Sequence, residues 1–221
     1  MARVGTEATI GLYVAWQVAM ALVILQRVFE FGAGAISDLW YWGMLNGAFG
    51  WFLARQVQRR SKGEIEELLT LDVVESLYPM LASFAAHFAV LTIVYAGAGI
   101  PMALPSTPDI LRQLFVVTPT ETFVWIFFLP RVLGNYFGVP AWVWSSVSFG
   151  GFHAFAYDAD LGQMALAAIF NVVWYMLYQG RARYRFLGLP FVWMSHFALN
   201  VFALAAHASM AYLILRALGI A

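Results

Sequence analysis

The sequence predicts an all-α protein, a polytopic transmembrane bundle of seven to eight helical spans that forms one integral membrane domain over residues 1–221. Three observations support this fold class. Of the 221 residues, 62% are hydrophobic and only 11% are charged, whereas soluble domains average about 25% charged residues. The mean hydropathy of the chain is +0.75. Apolar runs near the length of about 20 residues that a spanning helix needs follow one another along the chain.

The apolar runs, bounded by charged, glycine and proline residues, predict the helices in order. A polar segment at 55–67 separates the second run from the third, a Gly/Pro-rich loop at 96–109 separates the third from the fourth, and Pro130 closes the fourth. The last run is too long for one untilted helix, so it is either a broken span or a span followed by a short terminal helix. The runs cover about 8–29, 39–53, 77–95, 111–129, 139–157, 161–178 and 186–218.

The distribution of lysine and arginine predicts the orientation of the bundle, because cytoplasmic loops retain these residues. If the spans alternate, the basic segments at 55–62, at Arg131 and at 181–185 fall on one side together with Arg3. We therefore predict that the N-terminus is cytoplasmic and that the loop at 96–109 faces outwards. The first run is retained as a helix, since the short segment before it does not resemble a cleaved signal.

The composition also excludes several functional classes. The 12 basic and 12 acidic residues give a formal net charge of zero. The chain therefore lacks the basic surface with which proteins bind a phosphate backbone, and we expect no nucleic-acid partner. It contains no cysteine, which excludes disulfides, thiolate catalysis and cysteine-based metal sites.

Apart from arginines near the ends of the runs, five ionisable side chains interrupt the apolar runs. A charged side chain at such a position costs about 2.5–3.5 kcal/mol on insertion scales, so each of the five calls for a role. One is an acid and four are histidines: Glu121, His87, His153, His196 and His207. His87 and His207 stand apart from any motif, and we expect them to make packing or interhelical contacts.

The first of two short motifs contains His153. Phe149 and His153 lie four residues apart, which places the aromatic ring and the imidazole on one helix face. Gly150 and Gly151 lie between them. Small residues line close helix contacts in membranes, so both glycines predict the close approach of a neighbouring helix.

The second motif pairs an imidazole with a carboxamide, because His196 and Asn200 are also four residues apart. With Glu121 and His153 on two other helices, the chain offers one carboxylate, two imidazoles and one amide. Such a set can activate a water molecule and stabilise an oxyanion. We therefore predict that Glu121, His153, His196 and Asn200 are catalytic residues of a hydrolytic site. We expect their side chains to converge inside the bundle, where they can share partners.

The series of a glutamate, an FxxxH motif and an HxxxN motif on successive helices resembles the CPBP (Abi) family of intramembrane endopeptidases. This family comprises CAAX-processing and bacteriocin-self-immunity proteases related to the Ras-converting enzyme. Its members are multi-span helical proteins with a glutamate-dependent site in the membrane. The resemblance covers about 118–205, within a core that we place at 111–206, whereas 1–110 carries no family signature.

The resemblance implies a role for each predicted site residue. Glu121 and His153 would activate the attacking water, while His196 and Asn200 would hold the oxyanion. The family also implies a multi-pass protein of a prokaryotic cell membrane that needs no cofactor. Its expected partners are the lipid bilayer, a membrane-associated or lipidated polypeptide substrate, and other membrane subunits if it belongs to a complex.

The first motif departs from the family pattern, which is EExxxR. Thr122 stands at the second acidic position and Ile126 at the arginine position, and Arg131 lies too far along the helix to replace that arginine. Two functions stay open: an active endopeptidase of a divergent branch, or a catalytically degenerate protein that serves as a binding or assembly subunit of a membrane complex. An acid and an arginine supplied to Glu121 from elsewhere in space would favour the first.

Two further hypotheses involve the same residues. Glu121 with two histidines could form a His₂Glu zinc site. The chain contains no HExxH motif, however, and the spacing of Asn200 from His196 suits an oxyanion better than a metal, so we favour a site without metal. A proton or ion pathway lined by Glu121 and the histidines is the third functional hypothesis.

Overall fold

The computed structural model describes residues 3–64, 71–97, 99–133, 138–155, 160–184 and 187–206. Over these residues seven helices form the bundle, which confirms the all-α class. They are α1 (Thr6–Phe31), α2 (Ile36–Arg59), α3 (Val73–Gly97), α4 (Thr107–Leu133), α5 (Ala141–Phe152), α6 (Leu161–Gln179) and α7 (Leu189–Ala205). Two short strands, β1 (Arg3–Val4) and β2 (Leu71–Asp72), pair antiparallel. His207 and the end of the last predicted run lie outside the described residues.

Helices α1 and α2 form an antiparallel hairpin. Together they make an apolar helical stretch of 54 residues, which would extend about 80 Å as one straight helix. The hydrocarbon core of a bilayer is only about 30 Å thick. The stretch reverses at the 3₁₀ turn Gly32–Ala35, where Gly32 has a φ of 54° that favours glycine. Tyr13 donates a hydrogen bond to Asn46 across the hairpin at 2.9 Å.

The helices differ in whether they are long and apolar enough to cross a bilayer. In the described part of the chain, three stretches are long and apolar enough by length and composition: Thr6–Arg59, Thr107–Leu133 and Leu161–Gln179. Two shorter apolar helices are Tyr78–Val94 and Leu189–Ala205. Helix α5 is shorter than the predicted run 139–157, because Pro140 precedes it and the 3₁₀ turn His153–Phe155 follows it. Its 12 residues extend only about 18 Å.

Helix α4 is longer than the predicted run 111–129. It begins at Thr107, because the Ser106 side chain accepts a hydrogen bond from the Asp109 amide at 3.2 Å and caps the first turn. The prediction that Pro130 ends the helix is wrong. The wider π-helical turn Thr122–Phe128 precedes Pro130 and accommodates the hydrogen bond that a proline cannot donate.

The C-terminal ends of α2, α4 and α6 lie at one end of the bundle. Trp51 of α2 packs against Phe128 of α4, with ring centroids 5.3 Å apart. Arg131 at the end of α4 donates a hydrogen bond to the Tyr178 hydroxyl near the end of α6 at 2.8 Å. The described basic residues at the ends of these helices, Arg59 and Arg131 among them, therefore share one end of the bundle. That this end faces the cytoplasm stays a prediction.

The apolar interior is arranged around α4. One buried cluster joins α4 to α1 and α2 and contains Met20, Val23, Ile24, Leu45 and Val116. The other joins α4 to α2, α5, α6 and α7 and includes Val124, Trp125, Ile126, Phe149, Trp174 and Val192. Because α4 forms a wall of both clusters, a polar residue in its middle is enclosed on both sides.

Candidate active site

Glu121 lies in the middle of α4, at the end of one α-helical turn between two π-helical turns. The turn Thr118–Glu121 is preceded by Gln113–Val117 and followed by Thr122–Phe128. Pro119 has no N–H for the carbonyl four residues earlier, and the wider upstream turn accommodates the missing bond. Such π-helical interruptions are frequent at functional sites.

The Glu121 carboxylate is buried, and both of its oxygens have partners. The residue is only 3% exposed. The Tyr41 hydroxyl of α2 donates a hydrogen bond to Oε1 at 2.6 Å, and Nε2 of His196 on α7 lies 3.1 Å from Oε2. A buried carboxylate without such partners would be costly. Three helices, α2, α4 and α7, therefore meet at this side chain.

His196 is held at its ring face and at its second nitrogen. The Trp174 ring of α6 stacks on it with centroids 4.2 Å apart. Its Nδ1 lies 3.5 Å from the Thr122 hydroxyl oxygen. Because the ionised Glu121 carboxylate can only accept, Nε2 of a neutral His196 carries the proton, and Nδ1 accepts from the hydroxyl. Thr122 thus faces the second histidine.

His153 lies at the C-terminal end of α5, next to Phe149. Its Nδ1 is 2.8 Å from the Phe149 carbonyl. A carbonyl only accepts, so Nδ1 donates and a neutral ring presents an unprotonated Nε2. The Phe149 ring lies 4.5 Å from the His153 ring and 6.2 Å from the His196 ring. The two imidazoles therefore border the same aromatic side chain.

The two glycines before His153 have different surroundings. A Cβ at Gly150 would lie 2.6 Å from the Met164 carbonyl oxygen of α6, so only glycine permits this approach of α5 to α6. A Cβ at Gly151 would meet no described atom within 4 Å. The predicted close approach is confirmed at Gly150 and wrong at Gly151.

Asn200 contacts α4 at a point distant from the carboxylate along that helix. Its Nδ2 donates a hydrogen bond to Oε1 of Gln113 at 2.9 Å, and Gln113 precedes Glu121 by about two helical turns. The structure thus brings Glu121 and His196 into direct contact, whereas Asn200 has Gln113 as its partner. Sequence reasoning missed Gln113, whose only signal was an amide within an apolar run.

His87 of α3 makes the interhelical contact that was predicted for it. The Ser195 hydroxyl of α7 is 2.9 Å from its Nε2, and the Trp174 indole N–H donates to the same hydroxyl at 3.1 Å. Because Trp174 also stacks on His196, these contacts link α3 and α6 to the site. The signal that could have found it is the serine directly before His196.

The two substituted positions of the first motif have apolar or neutral surroundings. Ile126 is 1% exposed within the apolar core, where an arginine would be buried. Arg131 donates to the Tyr178 hydroxyl at the end of α4. This contact confirms that Arg131 does not replace the missing cation beside Glu121.

A cavity of about 540 Å³ lies beside the Glu121 turn, between α1, α2, α4 and α7. Its walls are almost entirely apolar and include Leu12, Phe49, Phe123, Leu189 and Trp193, with Thr122 among the few polar ones. Leu12 is 53% exposed on the outer surface of α1. The cavity therefore extends from the exposed outer face of α1 to the residue next to Glu121.

A metal site was the alternative for these residues. Within the described ranges, no group of three His, Asp, Glu or Cys side chains is arranged to hold a metal ion. The 3.1 Å between Glu121 and His196 is a hydrogen-bond distance. That the site works without metal stays a prediction.

A comparison with known protein families finds a match over most of the second half of the chain. Residues 103–202 match the family model described as Rce1-like, type II CAAX prenyl endopeptidase Rce1-like. The match confirms the predicted family resemblance and contains all four predicted site residues. Together with the apolar helices, it supports an integral membrane endopeptidase of the CPBP type at the level of the family. No curated protein and no solved structure gave a match.

Proposed function

Starting from the Rce1-like segment, we propose that this protein is an intramembrane endopeptidase that cleaves a membrane-associated or lipidated polypeptide. The observation that supports this most is the buried Glu121 carboxylate, held by Tyr41 at 2.6 Å and by His196 at 3.1 Å. Both partners, the Tyr41 hydroxyl and the His196 imidazole, carry a proton that can be transferred. A carboxylate in such surroundings is suited to accept a proton during catalysis.

In the proposed reaction Glu121 acts as the general base. It accepts a proton from a water molecule, whose oxygen attacks the carbonyl carbon of the scissile peptide bond. The C–N bond then breaks, and the proton passes from Glu121 to the leaving amine. His153 assists through its unprotonated Nε2, which can accept a hydrogen bond from the same water. Acid–base catalysis of this kind contributes about 10²–10⁴-fold to a rate.

His196 and Asn200 are the proposed donors to the oxyanion, since both lie on one face of α7. Their N–H groups are engaged by Glu121 Oε2 and by Gln113 Oε1 before substrate arrives. Protonation of Glu121 weakens its hold on His196, so Nε2–H becomes available as the oxyanion forms. One such donor is typically worth about 10²–10³-fold in rate.

The apolar cavity supports a substrate with a lipid-like part. Its walls are hydrophobic, so burial of an acyl or isoprenoid chain there would be favourable at about 25 cal/mol per Å². Thr122 in the cavity wall directly follows Glu121. A chain lodged in the cavity would therefore hold the attached peptide near the carboxylate.

The test compares hydrolysis of lipidated and plain membrane peptides by the purified protein in detergent or vesicles. Glu121→Ala should abolish cleavage, while Glu30→Ala, which alters an exposed acid of α1 bonded to Gln26, should leave it unchanged. Equal cleavage by wild type and Glu121→Ala would overturn the proposal.

A second candidate function, a binding or assembly subunit of a membrane complex, is favoured by Thr122 and Ile126 at the two altered motif positions. It predicts a stable fold, no turnover of any peptide and co-purification with other membrane subunits. Measurable hydrolysis that depends on Glu121 would exclude it as the main function.

A further inference from the structure

Glu121 receives a hydrogen bond from outside the Rce1-like segment. The donor is the Tyr41 hydroxyl, 2.6 Å from Oε1. Tyr41 lies one helical turn after Asp38 on α2, so the two side chains share a face of that helix. The N-terminal helix pair thus contacts the carboxylate on the opposite oxygen from His196.

Asp38 is fully buried and is paired with two arginines. Arg112 Nε of α4 lies 2.6 Å from Oδ1, and Arg27 Nε of α1 lies 3.4 Å from Oδ2. Arg27 also bonds Asp109 at 2.8 Å, so the cluster contains two acids and two bases. The Arg112 guanidinium carbon lies 6.0 Å from the centre of the Tyr41 ring. The ion pair therefore flanks the residue that contacts Glu121.

We propose that Asp38, Arg112 and Tyr41 form a positioning chain that holds the Glu121 carboxylate in its working orientation. This positioning role rests on the proposed function, because the orientation of the Glu121 carboxylate matters for proton transfer. It bears on the question raised by the first motif, because an acid and an arginine from elsewhere in the fold lie beside Tyr41, and Tyr41 in turn contacts Glu121. Thr122 and Ile126 carry no charge and cannot do this themselves.

Each member of the chain has a physical task. The Tyr41 hydroxyl fixes Oε1, which leaves Oε2 directed at His196 and prevents rotation of the carboxylate. A cation near the face of an aromatic ring is attracted to it. Arg112, anchored by Asp38, therefore restrains the Tyr41 ring and makes its hydroxyl a stronger donor. Asp38 in turn keeps Arg112 from turning away towards water.

The first test of the positioning chain is the kinetics of Tyr41→Phe, a variant that removes the hydroxyl and keeps the ring. We expect kcat to fall about 10–100-fold, as for other outer partners of catalytic groups, with KM unchanged. The matched control is Tyr178→Phe, which removes another tyrosine hydroxyl with an interhelical hydrogen bond, here accepted from Arg131, and it should leave kcat unchanged. A Tyr41→Phe enzyme with wild-type kcat would overturn the proposal.

Infrared spectroscopy tests the positioning chain in the absence of peptide hydrolysis. The carboxylate bands of Glu121 are identified as those lost in Glu121→Gln, and they should shift in Tyr41→Phe but not in Tyr178→Phe. A shift in a protein that hydrolyses no peptide would support the chain and count against the proposed function. Unshifted bands would overturn the chain even in an active enzyme.

The paired substitution Asp38→Asn with Arg112→Gln tests the far end of the chain. It removes one charge of each sign, so the net charge stays the same and no unpaired acid is left. We expect a folded protein with a lower kcat and with Glu121 bands shifted less than in Tyr41→Phe. A folded double variant with wild-type kcat and bands would overturn the assignment of the ion pair to the chain.

Discussion

Glu121 and Asp38 are both buried acids, but they are compensated in opposite ways. Asp38 pairs with two permanent cations, Arg112 at 2.6 Å and Arg27 at 3.4 Å. The Glu121 carboxylate is held instead by a tyrosine hydroxyl and an imidazole. Arginine is effectively always charged, whereas imidazole exchanges its proton near neutral pH.

The difference separates a structural acid from one that can take part in chemistry. A carboxylate fixed between arginines is disfavoured from accepting a proton, because Arg112 would then lose its paired carboxylate and Arg27 would keep only Asp109. A carboxylate between neutral donors can accept a proton and only weakens two hydrogen bonds. Burial alone therefore does not distinguish the two roles, and the nature of the partners does.

The largest expected effect comes from Glu121→Gln, which keeps the size of the side chain. Hydrolysis should fall about 10²–10⁴-fold, since an amide cannot act as the base, while the thermal stability in detergent stays near that of the wild type. The measurement pairs a peptide-cleavage assay with a melting curve. A large loss of stability in this variant would show that Glu121 is a structural acid like Asp38.

Asp38→Asn should have the reverse profile. It leaves the partly buried Arg112 without its acidic partner and Arg27 with Asp109 alone, and breaking a buried ion pair typically costs about 3–5 kcal/mol of folding free energy. Denaturant unfolding in detergent measures this loss. Unfolding of Asp38→Asn at the wild-type denaturant midpoint would contradict the structural role of Asp38.

Gly150→Ala tests the Glu121 site separately from the Asp38 ion pairs. Helix α5 carries His153 to the Glu121 site, whereas the salt bridges of Asp38 come from α1 and α4. The added Cβ would lie 2.6 Å from the Met164 carbonyl. Overpacking of this kind costs about 1–3 kcal/mol, and it should displace His153 and reduce hydrolysis. The control Gly151→Ala meets open space and should be neutral or slightly stabilising, since alanine favours helix. Equal loss in both variants would contradict this account.

The smallest effect is expected at Glu64, a fully exposed acid at the other extreme of burial. Hydrogen bonds from the Ser61 amide and hydroxyl hold the pKa of the Glu64 carboxyl below its usual value of 4.5. Its small stabilising contribution is therefore complete above the unfolded pKa and is lost as the pH falls through the lower folded pKa. A carboxyl ¹³C titration should give a midpoint below 4.5, and Ser61→Ala should raise it. An unchanged midpoint in that variant would remove the hydroxyl from the explanation.

Part of the site was predictable because it follows from local spacing. His196 and Asn200 lie on one face of α7, and His153 lies near Phe149, as a separation of four residues requires. The close approach at Gly150 also followed from its size. Gly151 did not obey the same argument, since a Cβ there would meet no described atom within 4 Å, and that outcome depends on how α5 packs in the folded protein.

Other features had signals that only the folded chain explains. Pro130 suggested the end of the fourth run, yet α4 continues past it, as it does past Pro119, through π-helical turns. Asp38 lies in the first turn of α2, next to the turn between two apolar helices, but α1 and α4 each place an arginine against it and it is completely buried. Neither outcome can be derived from the adjacent residues.

By itself the sequence determined the membrane class, the helical fold, the order of the helices and the motif residues on α4, α5 and α7. These properties depend on composition and on periodicity within one helix, which are local. The motif series led us to expect His196 near Glu121, but the tertiary structure alone decided the direct contact and added Tyr41. Tyr41 and His196 are far from it in the chain, and no local pattern links them. They meet because α2 and α7 pack on the same stretch of α4, where a buried carboxylate requires donors from whichever helices enclose it.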